Sequence, residues 1–462
     1  MNTVAVILAA GLGKRMKSRI PKVLHPVLGD PSLLWVLRTL PEELQAALVV
    51  VHHGKEQVMA SLEDWRAADL LPCPVRVVDQ GEALGTGHAV RVCEAELDRL
   101  EAVRVVILSG DVPLIRRETI QQLCASKGSL LAMEMKEPAG YGRVLKNSDG
   151  HLSRIVEEKD ASPEERSLTL VNGGAYALPW AALKPALHGL SADNAQKELY
   201  LTDAVMSVAR EHPIEVVVSD PMELSGMNSR ADQATLQSAA QTRINAAWMS
   251  EGVSFLDASS TFIGPRVLLS QDVMIEPAVR MEGAVRIGTG TRVGQGSIIT
   301  GGEIGEDVIL RPYSIIEGAK VGDRSVVGPF ARLREGTELQ EGVHVGNFVE
   351  TKQTLLRSGA KANHLAYLGD SEVGENTNVG AGVIFCNYDG ARKHRTIIGR
   401  DAFIGSDSQL VAPVIIGDGA VIAAGSTIAE DVPTQALAIT RPPLTIKEEG
   451  ALRYWEKLKN RE

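Results

Sequence analysis

Three stretches of the chain repeat an aliphatic side chain at every sixth position. Ile263, Leu269, Ile275, Met281, Ile287, Val293 and Ile299 form the first, Ile315, Val321, Val327, Leu333, Leu339 and Val345 the second, and Ile398, Ile404, Leu410, Ile416, Ile422 and Ile428 the third. Neither a 3.6-residue helical turn nor strand alternation gives a period of six, whereas a coil of short strands turning a corner every six residues does. The pattern predicts a parallel β-helix. Small residues follow the aliphatic one in IGTGTR, VGDRSV, IGSDSQ and IGDGAV, where glycine can take the corner. The rhythm is interrupted between Thr351 and Asp370 and at FCNYDGARKHR, and segments that leave such a prism are the expected places for chemistry.

Earlier in the chain, strand-like runs alternate with helical ones in VAVILAA, LLWVLRTL, ALVVVHH, VRVVD, GHAVRVCEAEL, VRVVILSGD and ETIQQLCAS. This order predicts a Rossmann-like α/β domain with a mostly parallel sheet, helices on both faces and ligands at the carboxyl ends of the strands. Arg230 to Ser250 holds neither Gly nor Pro and reads as one long helix, a spacer between domains. The expected organisation is a domain over 1–229, a linker helix over 230–250 and a β-helix domain with its tail over 251–462. After Pro433 the rhythm stops, and ALRYWEKLKNRE reads as a charged, frayed tail.

Composition sharpens this division. Of 44 glycines, 16 precede residue 251 and 28 follow it, and no tryptophan lies between Trp248 and Trp455. The net charge of −10 argues against nonspecific nucleic-acid binding, so an anionic ligand must be caught by local cations. Cys73, Cys93, Cys124 and Cys386 show no CxxC spacing, which predicts reduced thiols and a cytoplasmic location. The start MNTVAVILAAG lacks a basic n-region and runs into a glycine turn, so it reads as a strand rather than a signal peptide. No apolar stretch approaches the roughly 20 residues of a membrane span.

LAAGLGKRM sets Gly11 and Gly13 directly before Lys14 and Arg15. Glycines let backbone N–H groups approach phosphate oxygens that cations neutralise, although a plain glycine turn with solvated charges has the same look. The GxGxxG and GxxxxGK[ST] spacings are both absent, so neither a dinucleotide fold nor a P-loop is supported. With PKVLHPV, LGTGHAV, SGDVPL, GYGRV, VEEKDA and GMNSR following in order, the segment resembles the sugar-nucleotidylyltransferases, most closely the bacterial bifunctional family of N-acetylglucosamine-1-phosphate uridylyltransferases and glucosamine-1-phosphate acetyltransferases. The resemblance spans the whole chain.

It implies an α/β nucleotidyltransferase domain followed by a left-handed parallel β-helix. It also implies that a sugar-1-phosphate oxygen attacks the α-phosphorus of UTP while metal and cations spread the developing charge. Asp111, ending the strand VRVVILSGD, is then the natural ligand for Mg²⁺, with Asn228 of GMNSR as the second. By the same resemblance Arg15 and Lys22 grip the triphosphate. Leu8, Ala9, Ala10 and Gly11 line the nucleotide, Gln80, Gly85 and Thr86 read the uracil, and Gly142, Glu157 and Asn172 line the sugar pocket. Three positions depart from the family pattern: Ser109 where many relatives have Tyr, VNGGAY where they often read NTG, and Lys197 in NAQKELYLTD where they often read NAQGE.

In the second half, GPFARLREG, GNFVETK, KANHLAYLGD, NVGAG, CNYDG and IGSDSQLVAP resemble the acetyltransferase half of the same family. Acyl transfer to a sugar amine needs a base, and neutral imidazole suits that role near pH 7. The resemblance makes His364 that base, Arg334 and Lys352 the phosphate grip, and Tyr367 and Asn378 the hydroxyl contacts. Acetyl-CoA would run past Ala381, Asn387, Tyr388, Ser406, Ala424 and Arg441. The loop Asn387 to Arg395 reads as too polar for its own prism and is expected to reach a neighbour, since prisms of this family assemble as homotrimers.

The expected substrates are thus glucosamine-1-phosphate, N-acetylglucosamine-1-phosphate, UTP and acetyl-CoA, with UDP-N-acetylglucosamine for cell-wall polysaccharide as product. The alternative is a single-activity sugar-1-phosphate nucleotidylyltransferase with a structural β-helix. His364, Lys352, Arg334 and CNYDG speak against it, because an inert prism has no need of that cluster. A noncatalytic regulatory subunit is a further rival, opposed by the intact LAAGLGKRM, Lys22 and Asp111.

Overall fold

The computed structural model describes residues 2–194 and 197–459. The chain divides into two compact units, Met1–Arg243 and Ile244–Glu462. In the first, strands β1 (Thr3–Leu8), β2 (Ala46–Val51), β3 (Val75–Asp79), β4 (Arg104–Ser109), β5 (Ser129–Glu134), β6 (Arg143–Lys146), β7 (Leu152–Val156), β8 (Leu170–Pro179) and β9 (Glu215–Ser219) form one sheet. Its main order is β9–β5–β8–β4–β1–β2–β3. Strand β8 alone runs antiparallel along this path, between β5 and β4, and the hairpin β6–β7 hangs from its start. The apolar run of β1 is explained by burial on both sides: Ala5 and Ile7 pack with the helices Ser32–Thr39 and Lys55–Ala67, while Val4 and Val6 pack with Trp180–His188 and Leu201–Ala209. Chemistry is thereby left to the strand ends.

The helix Arg230–Ser250 is continuous, but it is not a free spacer. Arg243 donates to the Leu114 carbonyl at 2.7 Å within the first unit, while Ile244 and Trp248 pack on the core of the second. The division between the units falls inside the helix.

The second unit is a left-handed prism of parallel strands. One face stacks Ile263, Met281, Ile299, Ile316, Leu333 and Thr351 in register, a second Leu269, Ile287, Ile304, Val321, Leu339 and Leu356, and a third Ile275, Val293, Leu310, Val327, Val345 and Ala362. The buried beat passes through Ile316, fully enclosed, and not through Ile315. The coil from Ile299 to Ile316 has 17 residues where that from Ile263 to Met281 has 18, because the side from Ile299 to Ile304 is one residue short.

The expected break between Thr351 and Asp370 does not occur either. Thr351, Leu356, Ala362, Leu368 and Val373 keep the core continuous. A threonine, an alanine and two five-residue sides hide the beat, and the buried Thr351 hydroxyl is satisfied by Thr337 at 2.9 Å. His364 therefore stands on a regular coil. The excursion after Phe385 does leave the prism, and it turns on itself: Asp389 accepts from the N–H groups of Ala391 and Arg392 and pairs with His394 at 2.7 Å, while Arg395 pairs with Glu372 at 2.9 Å and Asn387 with Asp370. The loop is thus anchored on its own prism.

The expected frayed tail is a helix over Gly450–Lys459. The last three residues of that segment lie outside the described residues. Its Leu452, Trp455 and Leu458 share one exposed side, the i, i+3 spacing that the sequence reading passed over.

The phase of the beat is testable. Ile316→Ala should cost about 2–5 kcal/mol of prism stability and Ile315→Ala less than about 1.5 kcal/mol, read by chemical denaturation; equal costs would restore the six-residue phase.

Candidate functional sites

At the carboxyl ends of β1, β3 and β4 lies a cavity of about 350 Å³ lined by Leu8, Ala10, Gly11, Lys22, Gln80, Gly85, Thr86, Ser109, Asp111 and Glu198. Gly13 sits in left-handed backbone (φ 58), and a Cβ there would come within 3.0 Å of Lys22 Cβ, so glycine lets the first turn fold over Lys22. The Lys22 ammonium stands between the Asp111 carboxylate and the Asn228 amide oxygen, the latter at 3.2 Å. Two hard oxygens thus converge on a cation. No group of three or more His, Cys, Asp or Glu side chains suited to a metal occurs among the described residues. The Asp111 carboxylate and Asn228 amide oxygens form the kind of sparse, hard-oxygen donor set that Mg²⁺ takes, with phosphate and water completing its shell.

Two expected residues stand apart from this cavity. Ala9 is turned into the core. Arg15 is exposed on the turn Lys14–Met16, whose buried residue is Met16, so its guanidinium is directed to solvent.

The expected sugar residues form a second, connected group. The Asn172 N–H donates to the Gly142 carbonyl at 2.8 Å, and a Cβ on Gly142 would meet Glu157 Oε2 at 3.5 Å. Asn172 is aimed by a bulge between it and Tyr176, where Gly174 takes φ 71; the VNGGAY departure itself falls on Gly173, where a Cβ would come within 2.5 Å of Leu224 Cδ1 and 2.9 Å of the Leu131 carbonyl oxygen. The Asn172 amide reaches the Tyr176 hydroxyl at 2.6 Å. Burial holds the Glu157 carboxyl above its ordinary pKa, with the Thr202 hydroxyl at 3.1 Å pulling the other way. Thr202, Tyr176 and Glu198 were missed by the motif reading. The segment Glu198–Thr202 links the two groups, since the Leu201 N–H donates to Thr86 Oγ1 at 3.2 Å. Lys197 keeps φ 55, the conformation that the relatives' glycine takes without strain; Ala195 and Gln196 of that motif lie outside the described residues.

On the prism, one corner carries a column of residues, each a coil above the last. Asn347 and Leu365, Leu365 and Gly382, Ala381 and Asp407, and Ser406 and Gly425 are joined by successive backbone hydrogen bonds of 2.7–3.1 Å. This stacks Asn347, His364, Ala381, Ser406 and Ala424, with the Arg441 side chain beside Gly425 at the end. His364 Nδ1 lies 2.8 Å from Asn347 Oδ1. An amide oxygen only accepts, so Nδ1 is the donor, and in the neutral ring the lone pair is then on Nε2. Asn347 was hidden inside GNFVETK, and its spacing one coil before His364 is the signal that would have found it.

Arg334, Lys352 and Tyr367 lie on the face after this corner, whereas Asn378, paired with Lys361 and Phe403, lies on the face before it. Arg334 is held by Glu350 at 2.8 Å. Lys393 of the excursion stands against Lys352 and is the main cause of a lowered Lys352 pKa, with Arg334 adding and Asp370 opposing. Three cations, Arg334 among them already paired with Glu350, are thus gathered on one face, and Lys393 belongs to the polar loop of the sequence. Asn387 lies at the root of that loop beside Tyr367 and Gly369, and Tyr388 is exposed.

A MobA-like NTP transferase domain model matches residues 5–149, and a bacterial transferase hexapeptide model of six repeats matches residues 395–430. Fold and sites therefore define a nucleotidyltransferase joined to a hexapeptide-repeat transferase. The chain is 42% identical over 456 residues to the bifunctional protein GlmU of Geotalea uraniireducens (strain Rf4), covering 97% of this chain and 98% of that one. It is 44% identical over 442 residues to the bifunctional protein GlmU of Alkalilimnicola ehrlichii (strain ATCC BAA-1101 / DSM 17681 / MLHE-1), covering 94% and 93%. The chain belongs to the GlmU family of bifunctional proteins. Among solved structures, UDP-glucose pyrophosphorylase complexed with UDP-glucose aligns with 53% of this chain and 100% of its own at 17% identity and a TM-score of 0.43.

Because the Thr202 hydroxyl favours the ionised form of Glu157, Thr202→Val should raise the Glu157 pKa further. A carbon-detected NMR titration of the carboxyl reads this, and a midpoint that stays or falls would mean the hydroxyl donates elsewhere.

Proposed function

We propose that this chain acetylates glucosamine-1-phosphate with acetyl-CoA on its prism and then, in its first unit, transfers UMP from UTP to the resulting N-acetylglucosamine-1-phosphate. Pyrophosphate leaves and UDP-N-acetylglucosamine forms, in the cytoplasm where four free cysteines are at home. The observation that carries this reading is that one chain holds both a glycine turn facing converging hard oxygens and a base-bearing corner beside three cations. A single-activity nucleotidylyltransferase has no use for the second.

In uridylyl transfer, the sugar-phosphate oxygen attacks the α-phosphorus as the bond to the leaving pyrophosphate breaks. Asp111 and Asn228 would hold Mg²⁺, which supplies charge neutralisation along the triphosphate when bound. The backbone after Leu8 approaches the phosphates, Lys22 follows the developing negative charge, and Gln80, Gly85 and Thr86 face the base. Gly142, Glu157 and Asn172 orient the acceptor sugar, and orientation of this kind is worth several kcal/mol of barrier, about 7 or more in favourable cases.

In acetyl transfer, His364 Nε2 takes a proton from the sugar amine, the nitrogen attacks the thioester carbonyl, and the C–N bond forms as the thiol departs. Asn347 holds the required tautomer. Arg334, Lys352 and Lys393 grip the phosphate, and Tyr367 and Asn378 contact the sugar. Ala381, Ser406 and Ala424 leave the corner low enough for a pantetheine arm, with Asn387, Tyr388 and Arg441 along its course.

Assembly as a homotrimer accounts for two further observations. A single prism offers these groups on two faces around a convex corner, whereas small-molecule sites are concave, so a second copy supplies the missing wall. Below His364 the same corner exposes Tyr313, Phe330 and Phe348, stacked at 5.3 and 5.4 Å with near-parallel rings. All three adopt positive φ (59, 56 and 56), a conformation costing bulky residues roughly 1–2 kcal/mol each, and covering their rings on assembly offsets that cost.

The reading is tested by incubating the protein with glucosamine-1-phosphate, acetyl-CoA, UTP and Mg²⁺ and separating the products by mass. Asp111→Ala should abolish uridylyl transfer and spare acetylation. His364→Ala should lower acetyl transfer by about 10²–10⁴-fold and leave uridylyl transfer near wild type; equal loss of both activities in either variant would assign that residue to folding. Phe330→Asp combined with Phe348→Asp should sediment as a monomer that has lost acetyl transfer, and a wild-type monomer that acetylates would remove the need for assembly.

A further inference from the structure

Lys22 sits on a long glycine-containing turn whose backbone hydrogen bonds are local, from Met16 to Gly13, Lys17 to Lys14, Leu24 to Pro21 and His25 to Lys22. Asn228 sits on another turn, held by the Asp111 carbonyl through Met227 N–H at 2.8 Å and by Asp232, which accepts from Asn228 and Ser229 N–H at 3.0 and 2.8 Å. In the structure the Lys22 ammonium itself bridges the turns. In the reaction proposed above that bridge would open, because Asp111 and Asn228 would hold the metal and the Lys22 ammonium would serve phosphate.

A second link between the same turns does not involve the reacting groups. His25, 1% exposed, accepts at Nδ1 from Arg230 Nη1 at 3.1 Å. Arg230 also donates to Gln233 Oε1 at 3.1 Å, and Gln233 Nε2 donates to the Pro26 carbonyl at 2.8 Å. The link depends on one protonation state, since a guanidinium only donates and Nδ1 must carry a lone pair. Burial first, and the Arg230 charge second, favour the neutral ring, against the Ile20 carbonyl. Nε2 is buried and makes no close hydrogen bond, with the Ile20 carbonyl as the acceptor acting on the ring. Neither catalysis nor the motif reading assigns this imidazole a role.

We propose that His25 and Arg230 are positioning residues for uridylyl transfer: they keep the phosphate-gripping Lys22 turn registered against the Asn228 turn once Lys22 has left Asp111. They touch neither substrate nor metal. Base and sugar are bound by other segments, so loss of the link falls mainly on the groups that act on the reacting phosphates.

The inference rests on the uridylyltransferase reading, and the full-length protein separates the two: a wild type without uridylyl transfer overturns that reading, whereas the variants address the link. Arg230→Met and His25→Leu should each lower kcat by about 10–100-fold, the scale expected for roughly 1 Å of misplacement. KM for UTP and for N-acetylglucosamine-1-phosphate should stay within about 3-fold. The double variant should be no worse than the more severe single one, because both remove one link. His25→Asn, which restores a side-chain acceptor near Nδ1, should recover most of the rate, a rescue that general loss of stability would not produce. Arg230 is exposed, so Arg230→Met decides the matter even if His25→Leu does not fold. An unchanged kcat in Arg230→Met, additive losses, or His25→Asn no better than His25→Leu would each overturn the proposal.

Discussion

Each side of the prism turns two side chains inward, two positions apart, as with Val273 and Ile275, Val279 and Met281 or Thr291 and Val293, and inward side chains must rest on their counterparts in the coil below. From this requirement the rest of the second unit follows. Buried positions are mostly aliphatic, alanine or small hydroxyl side chains, with Phe385 and the unpaired Thr396 hydroxyl among the departures. Backbone corners fall above one another, and anything projecting from a corner becomes part of a column. The ordering of Asn347, His364, Ala381, Ser406 and Ala424 is a by-product of packing the interior.

The first unit solves positioning by the opposite means. Its sheet is buried on both faces, so only the strand ends are free, and the chemistry is carried by turns whose geometry has to be tied down individually. The Glu198–Thr202 segment, the bulge at Asn172, the cap from Asp232 and the His25–Arg230 contact are such ties. Each costs little alone because its groups exchange one hydrogen-bond partner for another. Together they hold a site assembled from segments far apart in sequence.

What was legible beforehand follows the same contrast. A period of six is visible because one inward position of each side is nearly always aliphatic, so the prism could be read from sequence, but its phase could not. A side of five residues and an inward Thr351 or Ala362 look like interruptions when only aliphatic residues are counted. In the first unit, alternation of strands and helices gave the sheet, and ordered motifs gave Lys22, Asp111, Gln80 and Glu157. Residues acting through a tertiary neighbour were invisible. Asn347, Thr202, Lys393 and His25 are ordinary loop or corner residues until the partner across the fold is known, and the exposure of Arg15 depends on which residue of a three-residue turn is buried.

The column arrangement also makes the length of the prism a separate variable from its chemistry. Coils on the N-terminal side of Tyr313 contribute no residue to the corner around His364, and each repeats the same three-sided cross-section. Removing a whole coil there shortens the stack while leaving every later residue above the same neighbour, whereas removing a single residue shifts all that follow out of register. The fold therefore tolerates change in quanta of one complete turn, and selection could adjust how far the acetylating end stands from the start of the prism without disturbing either site.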